Sequence, residues 1–148
     1  MGAWISHNWF DLVSAIGIIA SLLFTAVSLR SETKTRRVAN LLTLTAAHRD
    51  IWSIILEHPE LTRVLDRSVN ISLTPVTLEE TVYVNIIIQH VSAAYQALKG
   101  GLSVRPDDLC EDIQSFFSLP IPNAVWAETK RLQNHDFVTF VESCRKAK

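Results

Sequence analysis

Apolar and polar positions repeat at three- and four-residue steps along most of this chain, and the clearest departure comes at its start. Residues 12–29 read LVSAIGIIASLLFTAVSL, without one charged side chain. A helix of about 18 residues is about 27 Å long, close to the hydrocarbon thickness of a thin bilayer. Trp9 and Phe10 stand at one end as interfacial aromatics, and Trp4 fits the same headgroup zone. The pattern predicts a transmembrane helix within an N-terminal segment, residues 1–30. A buried core helix would need cover on every side. A cleavable signal peptide would need a basic leader, and residues 1–9 hold no Lys or Arg.

The flanks set an orientation. Arg30, Lys34, Arg36 and Arg37 follow the apolar run, whereas residues 1–10 carry no Lys or Arg. The positive-inside rule therefore predicts a single-pass membrane protein, N-terminus outside and C-terminal part cytoplasmic. In that compartment Cys110 and Cys144 are expected as reduced thiols.

Within the run, Asp11, Ser14, Gly17, Ser21, Thr25 and Ser28 follow one another at steps of three or four and so share one helix face. A small-x-x-x-small pattern lets two helices approach closely in lipid, which makes Ser14, Gly17, Ser21, Thr25 and Ser28 the candidate association residues of a homo-oligomer. The spacing does not separate a dry contact from a polar pore. The hydroxyls could equally bond back to their own helical turn.

Between Ile18 and His58 there is no Gly or Pro, so the first helix is expected to run on as a stalk. Val38, Leu41, Leu44, Ile51, Trp52, Ile55 and Leu56 mark its apolar positions. Pro59 ends it and opens a short helix over 60–65, and a polar loop over 66–75 follows. Thr77 with Glu80 forms a capping box, so the next helix starts at Leu78. It runs to Lys99 and stops at Gly100-Gly101. Residues 82–88 alone, rich in β-branched side chains, could pass for a strand, but the end signals and the length favour helix. Pro106, Asp107 and Asp108 open another helix to about Ser118. Residues 119–122, Leu-Pro-Ile-Pro, read as a rigid extended connector. Helices over 123–132 and 135–145 complete the chain. The expected fold is all-α: an N-terminal transmembrane helix continuing into a stalk, then a cytoplasmic bundle of about five or six helices over residues 31–148.

Composition narrows the function. The chain has 148 residues, 48% hydrophobic and 20% charged, with 14 Lys and Arg against 15 Asp and Glu. That balance argues against a generalised nucleic-acid binder. Two cysteines exclude a disulfide framework and a four-thiolate zinc site. His48-Arg49-Asp50 spells the kinase catalytic-loop tripeptide, but the Gly-rich loop and the Asp-Phe-Gly motif are missing. His7, His48, His58, His90 and His135 show no metal-ligand spacing, and no phosphate-binding loop or nucleophile elbow occurs. No cofactor, no metal and no enzymatic activity are expected. Asp107, Asp108, Glu111 and Asp112 read as a solvated helix start matched to the helix dipole. The remaining candidate is basic: His48, Arg49, Arg63 and Arg67 flank the Pro59 turn and could hold an anion through paired guanidinium bonds. Equally, Arg36 and Arg37 could meet lipid headgroups while the others pair with Asp50, Glu60 and Asp66.

Leu-Thr-Ala-Ala-His-Arg-Asp-Ile-Trp from residue 44, His-Pro-Glu-Leu-Thr-Arg-Val-Leu-Asp from 58 and Phe-Phe-Ser-Leu-Pro-Ile-Pro from 116, with Trp126, resemble a group of small bacterial single-pass membrane proteins with no assigned activity. The resemblance covers about residues 36–145; it implies a helical cytoplasmic domain behind an anchor and carries no catalytic residues. In layout alone the chain is similar to small membrane effectors of antiphage systems, whose cytosolic domain detects a signal, often a cyclic oligonucleotide. That likeness implies an oligomeric effector that senses a ligand or a cytosolic protein partner and alters membrane-helix packing. The alternative is a membrane-anchored scaffold without ligand sensing.

Overall fold

The computed structural model describes the backbone of residues 2–101 and 105–147, and within them the side chains from residue 18 onward except at 33, 34 and 37. Every regular element among the described residues is a helix, so the all-α expectation holds. The order is α1 (Gly2–Glu57), a 3-10 helix (Pro59–Leu65), α2 (Leu78–Lys99), α3 (Pro106–Phe117), α4 (Pro120–Thr129), a short 3-10 turn (Lys130–Leu132) and α5 (His135–Lys146). The chain divides into two units, Met1–Asn40 and Leu41–Lys148. Residues 31–40 thus fall with the N-terminal unit.

The N-terminal unit is helical and has no core of its own among the described residues. Ile18, Ile19, Leu22, Leu23, Phe24, Val27 and Leu29 are each more than half exposed. The hydroxyls of Ser21 and Thr25 donate to the carbonyls of Ile18 and Ser21, both at 2.8 Å, so these two stripe residues bond back to their own helix. Ser28 is exposed, and Ser14 and Gly17 lie outside the residues whose exposure and contacts are described. Among the described residues no helix is long and apolar enough to cross a membrane, and residues 12–17 of the expected span fall outside the side chains described.

In the second unit the local signals act where the sequence puts them. Thr77 Oγ1 accepts from the Glu80 amide at 3.2 Å, and the Glu80 carboxylate accepts from the Thr77 amide at 2.8 Å. These bonds satisfy amides that the first turn of α2 leaves free. At the far end Gly101 takes φ 74°, a left-handed conformation that a side chain disfavours. One expectation fails locally. Residues 119–122 are no extended connector: Pro120 and Pro122 sit in the first turn of α4, with Leu119 alone extended before it. Prolines fit there because first-turn amides have no partner to lose.

The core lies among α2–α5, with Ile51 and Ile55 of α1 and with Leu61 and Val64 of the 3-10 helix. Trp126 is fully buried; its ring lies 5.0 Å from Phe117 and 5.9 Å, edge-on at 84°, from Phe137. Its indole N–H donates to Glu142 at 3.0 Å, so the buried ring leaves no donor unmet. That bond, followed by the Lys130 contact, holds the Glu142 carboxyl below the usual range against the opposing effect of burial. Gln114 of α3 donates to the carbonyls of Cys144 and Ala147 at the end of α5. The expectation of two free thiols is overturned: Cys110 and Cys144 form a disulfide between α3 and α5, with Cα atoms 5.1 Å apart. Both helices are amphipathic and pack face to face, which places two thiols far apart in sequence within bonding range.

Candidate functional site

A cavity of about 690 Å³ opens in the second unit, walled by α1, α2 and α3, with Leu65 and Leu119 also in its lining. Each wall follows from helical spacing. α1 supplies His48, Ile51 and Trp52, at i, i+3 and i+4. α2 presents Tyr83, Ile87, His90, Val91 and Ala94, again one face. α3 adds Leu109 and Phe116 with a polar edge of Asp108, Asp112 and Ser115, and Arg105 stands just before its first turn.

The polar groups are few and mostly engaged. Trp52 Nε1 donates to His48 Nε2 at 3.1 Å, which requires a lone pair on that nitrogen. The His48 and His90 rings lie 5.4 Å apart. Burial, and next the neighbouring His48, push His90 below the ordinary imidazole range. The Tyr83 hydroxyl donates to the Ile51 carbonyl at 3.1 Å and pins α2 to α1; burial pushes this phenol up. Arg105 Nε donates to Asp108 at 2.8 Å. Asp112 is exposed.

Such a wall can hold a small organic molecule by apolar contact and orient it through a few polar groups. Among the described residues no three His, Cys, Asp or Glu side chains are placed to hold one metal ion.

The basic set expected from the sequence is dispersed. His48 reaches the cavity, while Arg49 is exposed on α1 and Arg67 is exposed in the following loop. Arg63 donates to both Glu80 oxygens, at 2.7 and 2.8 Å, and to the carbonyls of Thr74 and Pro75. It thereby ties the 3-10 helix and the loop to the start of α2. The alternative partners are spent elsewhere: Glu60 contacts His58 at 3.2 Å, and Asp66 accepts from Ser68. Asp108 and Asp112, expected as solvated acids, are both exposed and stand at the edge of the cavity. His90, Tyr83 and Ala94 gave no sequence signal, because only packing brings α2 against α1. His48 and Trp52, one turn apart, were the one local hint.

No curated protein and no solved structure shows a match to the chain. A family model matches residues 9–140, nearly the whole chain, and the chain therefore belongs to that family, described as a family of unknown function (DUF6082).

Proposed function

We propose that this chain is a non-enzymatic, membrane-anchored effector whose helical domain senses a small ligand and whose N-terminal helices, associated between copies, carry the response. The cavity of about 690 Å³ carries the reading. Its first wall, His48, Ile51 and Trp52, belongs to the helix Gly2–Glu57, which also includes the charge-free run 12–29. A ligand that binds one packing of that wall better than another shifts the population of the two. The run and its basic flank support an inner-membrane anchor with the domain in the cytoplasm.

Two observations favour other readings. Leu78, Val82 and Ile86 form an exposed apolar stripe at four-residue steps on α2, which favours a scaffold that recruits a protein partner. The Cys110–Cys144 bond favours an oxidising compartment over the cytoplasm. We give the basic flank more weight, because Lys and Arg act when the chain inserts.

The test is inducible expression with a membrane-potential dye and a reporter fused to each terminus, comparing the native chain with Ala94→Trp, which fills the cavity. The effector reading expects depolarisation that responds to added ligand, and its loss in the variant. No depolarisation in either chain puts the scaffold first. A C-terminal reporter active only outside the cytoplasm reverses the orientation.

A further inference from the structure

We infer that the cavity walled by α1, α2 and α3 selects organic monocations with a broad apolar body, and that Asp112 meets their charge. The inference rests on the reading of this cavity as a ligand site and adds the chemistry of the ligand.

The charges facing the cavity do not cancel. Arg105 is matched by Asp108 at 2.8 Å. Asp112, one turn further along the same face of α3, has no ion pair among the described residues and so leaves one negative charge over. Burial opposes protonation of His90, and Nε2 of the His48 ring is engaged by the Trp52 indole. A carboxylate or phosphate entering here would face two carboxylates and one guanidinium already engaged. A neutral molecule would gain nothing from Asp112, whereas a cation gains Coulomb attraction at the rim of a low-dielectric wall.

The rest of the wall sets the size and character of the occupant. About 690 Å³ is the space of a drug-sized molecule and far exceeds a bare metal ion or ammonium. Ile87, Val91, Ala94 and Leu109 offer no hydrogen-bonding side chain, so most of the occupant must be hydrocarbon. Trp52 and Phe116 add aromatic faces, which attract a diffuse cation more than a compact hydrated one. Tyr83 contributes its ring, its hydroxyl being held by the Ile51 carbonyl.

Tetraphenylphosphonium and tetraphenylborate share size and shape and differ in the sign of their charge. Each is titrated calorimetrically into the full chain in lipid nanodiscs, with empty nanodiscs subtracted. The phosphonium ion is expected to bind about tenfold or more tightly than the borate. Asp112→Asn should cost it about tenfold while sparing the borate, and Asp112→Glu should keep the preference. Asp112 is exposed, and circular dichroism checks that the variants keep their helices. Equal or reversed affinities, or an Asp112→Asn chain that binds like the native one, overturn the charge assignment and leave the cavity a ligand site. If neither ion binds the native chain, the cavity fails as a ligand site and the inference fails with it.

Discussion

Arg63 and Glu80 share one of the least exposed ion pairs in the domain, with side chains 24% and 4% exposed. Glu80 works twice, as partner to the guanidinium and as the N-terminal clasp of α2. Removing Glu80 leaves the Arg63 guanidinium charged with only the Thr74 and Pro75 carbonyls to accept from it, and breaking a buried pair costs about 3–5 kcal/mol. Glu80→Ala is therefore expected to lower unfolding stability by about 3–5 kcal/mol in urea titrations, the lost clasp being part of the fall. A loss of less than about 1 kcal/mol would show that water screens the pair as it does at a surface. The same pair removes Arg63 from the anion-binding set that its position beside the Pro59 turn suggests. Glu80 stands seventeen positions away, beyond helical spacing, so the sequence points to nearer acids such as Glu60 and Asp66 and not to the partner the fold supplies.

At the scale of elements, the Cys110–Cys144 bond joins α3 to α5 across a sequence separation of 34. Closing a loop of that length restricts the unfolded chain by about 3–4 kcal/mol in the chain-entropy model. Thermal unfolding with and without dithiothreitol should differ by more than about 10 °C for a domain of this size. A Cys110→Ala chain should match the reduced native protein whether or not reductant is present. Identical melting of the native chain in both buffers would mean that the thiols are free in solution. α2 was legible in the sequence from end to end, because a capping box and a glycine stop are written in adjacent residues. The start of α4 was not: Pro120 and Pro122 fit an extended segment as well as a first helical turn, and packing of Ile121 and Val125 into the core decides between them. The cavity was illegible for a related reason. His48 and His90 meet only after α1 and α2 pack, and no local spacing records that.

For the whole molecule, the described residues of the N-terminal unit expose apolar surface and form no core to put it in; Phe24 is 75% exposed. In the proposed function, lipid, further copies of the helix, or both cover that surface. The proposed assembly uses the small-residue stripe, since Ser21 and Thr25 satisfy their hydroxyls within the helix and leave a narrow face for a neighbour. Changing Gly17 and Ser21 together to Leu should weaken association roughly tenfold in a membrane two-hybrid assay, the scale of about 1–2 kcal/mol at such contacts. Unchanged association would move the contact to the stalk, residues 37–55. The second unit carries its order differently. Its 3-10 helix, α3 and α4 all open on proline, at Pro59, Pro106 and Pro120. Each proline fixes one backbone angle before folding begins, which narrows the denatured ensemble by about 0.4–1 kcal/mol per site. Where those helices begin, the unfolded chain has less freedom to surrender, and part of the native order is a property of the disordered state.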